Sequence, residues 1–195
     1  MLSVVIATHE SERALVATLA ALVPGAAAGV IREVIVADAG SHDETSEVAD
    51  IAGCRVLVSN APLPARLRAA AAAARAPWLM FLRAGVAPDA TWTAEAARFI
   101  DEAELAGRVD RQAAVFRPAA RAGNVRSTLV EALTLLAAAM GRRPRPDQGL
   151  VISRRLYQQL GGHRDGAADC EADLLRRVGR RRIVILRCGA VVFTG

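Results

Sequence analysis

The first 82 residues alternate between two hydrophobic periods, and that alternation restricts the fold more than anything else in the chain. Leu2–Ala7 (LSVVIA) is a continuous apolar run rich in β-branched residues, the pattern of a strand buried on both faces. Ser11–Val23 carries apolar residues at helical spacing, and Pro24-Gly25 predicts its end. Glu33–Ala37 (EVIVA) is a second buried strand. Ser41 and Glu44 stand at the two ends of a capping box, which predicts a helix from Ser41 to Ala52. Arg55–Val58 is a third strand, Pro64–Arg75 an alanine-rich helix ending before Pro77, and Trp78–Leu82 (WLMFL) a fourth strand. Strand and helix in strict alternation predict an α/β fold, a mostly parallel sheet flanked by crossover helices. Ligands of such sheets bind outside the carboxyl ends of the strands. Here those ends are Thr8–Ser11, Asp38–Ser41, Ser59–Pro62 and Arg83–Pro88.

The second half is less regular. Thr91–Leu105, Arg126–Met140 and Glu171–Val178 read as helices, and Ala113–Arg117, Gly149–Ser153 and Ile183–Arg187 as strands, with a further short strand at Val191–Phe193. Gly141–Pro146 (GRRPRP) is a loop, and a short helix after Ser153 closes at Gly161-Gly162. With no internal repeat and no linker, residues 1–195 read as one domain.

At 53% apolar residues the chain can build an ordinary core, which excludes intrinsic disorder. The net charge is +5, and every one of the 25 basic residues is arginine. An alanine- and arginine-rich, lysine-free sequence looks like the product of a GC-rich bacterial genome, which weakens any inference from positive charge. A Schiff-base lysine or a phosphate-clamping lysine is excluded. No apolar run approaches the ~20 residues of a membrane span, and no basic segment opens the chain, so neither a transmembrane segment nor a signal peptide is expected. Cys54, Cys170 and Cys188 are odd in number and form no CxxC. That pattern fits a cytoplasmic protein with reduced thiols.

Four constellations could carry chemistry. Asp38 ends the second strand and is followed by Gly40 and Ser41, so it can accept hydrogen bonds from a ribose or a base, or brace the turn. Asp147-Gln148-Gly149 leads into a strand. Asp169, Glu171 and Asp173 open a helix, where acids commonly serve the dipole and one of several can act as a general base. In helical geometry Asp169 and Asp173 share a face and Glu171 points elsewhere. Arg176, Arg177 and Arg180–Arg182 form a basic run without interleaved aromatics, which reads as a solvated helix face, so no nucleic-acid partner is expected. His9, His42 and His163 lack metal-ligand spacing. GxSxG, the P-loop and a complete GxGxxG are all missing from the sequence.

Taken in order, Ser3–Thr8, Glu33–Thr45, Ala71–Leu82, Asp147–Gly162 and Glu171–Leu186 resemble the family-2-type glycosyltransferases of the GT-A fold. The nearest likeness is to a short bacterial subgroup, some members of which are linked to arsenosugar biosynthesis. The resemblance implies a GT-A-like domain with a nucleotide-binding half (1–90) and an acceptor- and base-bearing half (91–195). It implies inverting transfer of a sugar from a nucleotide-diphosphate sugar, most often a UDP-sugar, to an acceptor hydroxyl that the sequence does not name. Thr8, Glu10, Asp38, Gly40 and Ser41 would face the nucleotide, Asp147 and Gln148 would line the substrate site, and Glu171 would stand at the base. The family holds Mg²⁺ or Mn²⁺ on the diphosphate through the last Asp of a D-x-D-like segment, and here that position is Gly85, which cannot ligate through a side chain. Ala39 replaces a second family Asp, an arginine replaces an asparagine near Arg66–Ala70, and the family's E-D pair is Cys170-Glu171. Arg83, with Arg66 or Arg68, would then neutralise the diphosphate in place of a metal. The alternatives are a catalytically inactive nucleotide-sugar binder or scaffold of the same fold and a nucleotidyltransferase. The latter wants a glycine-rich loop where this chain has Thr8–Arg13 (THESER).

Overall fold

The computed structural model describes residues 1–118 and 144–193. The helix expected at Arg126–Met140 and the first half of the GRRPRP loop lie outside the described residues. The strands are β1 (Leu2–Thr8), β2 (Ile31–Asp38), β3 (Arg55–Val58), β4 (Trp78–Arg83), β5 (Val86–Pro88), β6 (Ala113–Pro118), β7 (Leu150–Ser153) and β8 (Ile183–Val192). They form one sheet in the order β3-β2-β1-β4-β7-β6-β8-β5. β1 runs parallel to β2 and β4, β2 to β3, and β6 to β8. β7 enters antiparallel between β4 and β6, and β5 lies antiparallel to β8 at the edge. The fold is the mixed α/β sheet flanked by helices that the alternation predicts.

Successive strand residues point to opposite faces, and here both faces are covered. Val4, Ile6, Val36, Met80 and Leu82 pack beneath α1 (Glu12–Ala27), α2 (Thr45–Ile51) and α4 (Trp92–Leu105). Val5, Ile35, Ala37, Leu79 and Phe81 pack beneath α3 (Leu63–Ala73), α5 (Arg154–Gln159) and α6 (Cys170–Val178). A strand with no wet face has no polar alternation, which is why WLMFL is unbroken and LSVVIA is interrupted only by Ser3, whose hydroxyl is bonded to Glu33 and the Ala76 N–H. Cys54, Cys170 and Cys188 are buried and free. None of the helices among the described residues is long and apolar enough to cross a membrane.

Several expectations are corrected. Helix α1 does not stop at Pro24-Gly25. A proline in the last turn removes a single N–H donor, so its loss is tolerable there. Trp92 Nε1 donates to the Ala21 carbonyl at 2.9 Å, and a β-carbon on Gly25 would collide with the Trp92 ring. Gly25 is therefore a packing slot, and the helix runs on to Ala27 before the chain turns at Gly29, whose φ is +69°. The capping box at Ser41 does not form. Asp38 captures both the Ser41 N–H and its hydroxyl, and α2 begins at Thr45, whose N–H donates to Asp43 at 3.1 Å. The two strands expected at Ile183–Arg187 and Val191–Phe193 are one ten-residue strand, β8, carried past an irregularity between Val115 and Arg117 of β6. Strand β5 escaped the sequence because three residues ending in proline read as a loop, and proline is tolerated in a strand at an edge.

Candidate active site

The carboxyl ends of β1, β2 and β4 lie side by side, with Thr8 opposite Asp38 and Ala7 opposite Arg83. Asp38 is fully buried. Its Oδ1 accepts from Thr8 Oγ1 at 2.7 Å and Ser41 Oγ at 2.6 Å, and its Oδ2 from the Gly40 N–H at 2.8 Å and the Ser41 N–H at 2.7 Å. Four donors saturate a carboxylate. Burial alone would raise its pKa, but the donors from Ser41, Thr8 and Gly40 outweigh burial and hold it below the ordinary carboxylate range. The geometry thus gives Asp38 the bracing role, and what it offers outward is the shape of the turn. Gly40 adopts φ +83°, and a β-carbon there would press on Asn60 Oδ1.

The loop after β1 is stitched to the loop after β2. The Glu10 N–H donates to Ser41 Oγ at 2.9 Å and Glu10 Oε1 accepts from the His42 N–H at 2.7 Å. The Ser11 N–H reaches Thr45 Oγ1 at 2.9 Å, and the Glu12 N–H reaches Asp43 Oδ2 at 3.2 Å. This clasp holds Glu10 at φ +47°, a strained backbone for a residue with a side chain. Arg66 runs behind the same loops: Nη1 donates to the carbonyls of Thr8 and Ala37 at 3.1 and 2.6 Å, and Nε to that of Ala61 at 3.2 Å. Burial lowers its pKa, and Asp38 opposes the shift. Arg68 lies further along α3 and holds the Asp165 carboxylate and the His163 carbonyl.

The end of β4 is different in kind. Arg83 Nε donates to Glu171 Oε2 at 2.5 Å and Nη2 to Asp169 Oδ2 at 3.1 Å. Glu171 sits in the first turn of α6 and is 8% exposed, whereas 42% of the Arg83 side chain is exposed. Burial pushes the Glu171 carboxyl up, and Arg83 reverses only part of that. Burial depresses the Arg83 guanidinium, and Glu171 and Asp169 more than restore it. The helical-face expectation fails here. Asp169 is not in the helix but caps it in extended conformation, accepting the N–H groups of Glu171 and Ala172. It therefore joins Glu171 on Arg83, while Asp173 pairs with Arg176 and Arg177. Arg177 is turned inward, onto the carbonyls of Leu160 and Gly162.

Because β7 is antiparallel to β4, the residues preceding it arrive at the same rim. Gln148 is buried and bridges the Phe116 carbonyl and the Arg145 N–H at 2.7 and 2.8 Å, so its amide braces the turn. Asp147 Oδ1 is buried without a hydrogen-bond partner among the described residues. Pro146, Glu171, Phe81 and His163 line a cavity of about 10 Å³, room for about one water. His163 was missed by sequence reasoning, which looked only for metal spacing. It is 1% exposed, bonds Tyr157 Oη through Nδ1 at 2.9 Å, and packs edge-on against Phe81. Burial, aided by Arg177 and Arg68, pushes its pKa down to about 4, so it is neutral at physiological pH. Tyr157 and His163 flanking the Gly161-Gly162 turn was the available signal.

A divalent cation does not fit the residues present. Gly85 adopts φ +90°. Its N–H donates to the Ala14 carbonyl at 3.0 Å and Thr18 Oγ1 at 2.9 Å, and its carbonyl accepts from the Phe193 N–H at 2.8 Å. A β-carbon at this position would collide with the Phe193 carbonyl oxygen, a backbone atom, so no carboxylate can project from it without displacing that chain. Asp89, four residues on, is engaged with the Gly189 N–H at 2.5 Å and Thr91 Oγ1 at 2.6 Å. Three or more metal-ligating side chains converge nowhere among the described residues.

The sequence signature described as glycosyl transferase family 2 matches residues 3–158. No curated protein matches the chain. Among solved structures, glucosyl-3-phosphoglycerate synthase from Mycobacterium tuberculosis, in complex with Mn²⁺, UDP and glucosyl-3-phosphoglycerate, superposes with a TM-score of 0.65 at 20% identity, over 100% of this chain and 72% of that one. S. aureus TarS 1–349 gives 0.68 at 15% identity, over 98% of this chain and 60% of that one. Its complex with UDP-GlcNAc gives 0.64 at 17%, over 100% and 59%. The chain thus spans between 59% and 72% of the length of these structures. The likeness establishes the GT-A fold.

Proposed function

The chain belongs to glycosyl transferase family 2, and from that premise we propose that it transfers a sugar, with inversion, from a nucleotide-diphosphate sugar to an acceptor hydroxyl. Glu171 takes the proton of the acceptor hydroxyl, whose oxygen bonds to the anomeric carbon. The bond from that carbon to the diphosphate oxygen breaks, and its electron pair leaves on the diphosphate, where Arg83 stabilises the charge. The nucleoside lies across the ends of β1 and β2, on a floor made by Thr8, Glu10, Gly40 and Ser41 and held in shape by Asp38. Arg66 supports the loops after β1 and β2 from behind, and Arg68 ties α3 to the His163–Asp165 segment. Asp147 Oδ1 has acceptor capacity for a sugar or acceptor hydroxyl, and Gln148 keeps its turn in place.

The observation that supports this most strongly is the direct contact of Arg83 with a buried Glu171 at the carboxyl rim of the parallel strands. UDP is the favoured nucleotide, because two of the three similar structures were determined with UDP or a UDP-sugar. A cytoplasmic location without a nucleic-acid partner accompanies this reading. The test is release of UDP from UDP-glucose and UDP-GlcNAc. Glu171→Gln is expected to slow it by about 10²–10⁴ while the melting temperature is retained. A second reading, a nucleotide-sugar binder without turnover, is favoured by the closed position at Gly85. It predicts saturable UDP binding with no release of UDP from any donor.

A further inference from the structure

We infer that this site receives the donor's diphosphate without a divalent cation, and that the diphosphate does so by drawing Arg83 away from Glu171 and Asp169, unmasking the base only when donor is bound. The inference rests on the glycosyl-transfer reading above.

Three observations carry it. The position from which a metal-binding carboxylate would project is closed by the Phe193 carbonyl, and the neighbouring acid, Asp89, is engaged in its own turn. Of the three arginines near the strand ends, Arg66 is held by backbone carbonyls and Arg68 by Asp165 and the His163 carbonyl. Arg83 is held by two carboxylates, and nearly half its side chain is open to solvent. A guanidinium paired with carboxylates can exchange them for a diphosphate of equal or greater charge, which offers the same bidentate oxygens. Arg66, bonded only to carbonyls, has no such alternative, and Arg68 is tied by the carbonyl of His163 as well as by Asp165.

The exchange has a chemical consequence. With Arg83 on it, Glu171 is a neutralised carboxylate and a poor base. With Arg83 drawn to the diphosphate, a charge remains in a nearly water-free site without its counter-ion, and it is relieved by taking a proton. The proton at hand is that of the acceptor hydroxyl. Donor binding therefore precedes acceptor activation, and the same guanidinium that releases the base stabilises the leaving group.

The test is calorimetric titration of UDP into the full chain, in EDTA and in Mn²⁺. The expected affinities agree within about threefold in the two media, and Arg83→Gln weakens binding about tenfold or more. Glu171→Gln and Asp169→Asn, each removing a competitor for Arg83, tighten UDP binding several-fold. A purely structural ion pair predicts the opposite or no change. Asp169→Asn keeps a capping side chain, so it gives the same reading should Glu171→Gln fail to fold. UDP binding that requires Mn²⁺ overturns this inference and leaves the glycosyl-transfer reading intact. UDP affinity unchanged or weakened in both acid variants overturns the exchange. No UDP binding in either medium overturns the inference and the reading beneath it.

Discussion

The rim of the sheet holds two acidic centres built on opposite plans. Around Asp38 every polar group is answered by a neighbour: the carboxylate is fully buried, accepts four hydrogen bonds, and its donors come from the two loops it joins. Around Arg83 the partners are charges, one buried and one half open to water, and the guanidinium bridges a strand end to a helix start. The first centre is architecture, because nothing in it can leave without orphaning several buried groups. The second is exchangeable, because an ion can be replaced by another ion. A carboxylate at a strand end is therefore not a ligand site by virtue of its position. What decides is whether its acceptors are already filled.

Four measurements can break or sharpen that contrast. Asp38→Ala orphans two hydroxyls and two N–H groups, so unfolding stability should fall by about 4 kcal/mol in a denaturant titration. A loss under 1 kcal/mol would erase the distinction. Gly85→Asp should destabilise by about 3 kcal/mol, because the residue must leave φ +90° or displace Phe193, and it should not create a Mn²⁺-dependent melting shift. Arg83→Gln is the mirror of Asp38→Ala. It should reduce UDP release by about 100-fold, while stability falls by about 2 kcal/mol, less than in Asp38→Ala, since the guanidinium is partly solvated and the buried Glu171 left without it can take a proton.

The smallest effect is the pH profile, where the two centres have opposite signs. The Asp38 carboxyl is held low, so its contribution is present above the unfolded pKa and lost as pH falls through the folded value. The Glu171 carboxyl is held high, so its contribution is present below the unfolded pKa and lost as pH rises through the folded value. Denaturation midpoints followed through the acidic range should flatten on the acid side in Asp38→Asn and on the neutral side in Glu171→Gln. UDP release should fall as pH drops through the Glu171 pKa, at a pH above the usual glutamate range.

What the sequence made legible follows from local physics. The buried strands β1, β2 and β4 and the alternation around them were readable because doubly covered strands are apolar at most positions, and the Gly161-Gly162 turn because both residues take positive φ. The failures came from competition between neighbours that no local rule ranks. Ser41 could cap a helix or bond Asp38, and the buried carboxylate won. Pro24 could stop a helix, but a tryptophan 68 positions on needed the slot at Gly25. Arg66 and Arg68, alike in sequence, face different partners from Arg83 because α3 lies behind the loops. Strand β5 and the irregular pairing of β6 with β8 depend on contacts across the sheet. The belonging of Asp169 to Arg83 and not to the helix face turns on a single cap residue's backbone.

The insertion of β7 between β4 and β6 has a consequence for the nascent chain. During synthesis β1 through β4 can zip together from nearby segments, and the Thr8–Asp38 clasp spans only 30 positions. Arg83 meets Glu171 across 88, and the side of β4 that β7 will cover stays bare until residues 150–153 emerge. The ribosome thus delivers a finished cradle long before the charge that works in it. Over that interval a strand whose first five residues are destined for burial presents an open edge, the moment at which a chaperone, or a second unfinished copy, would find it.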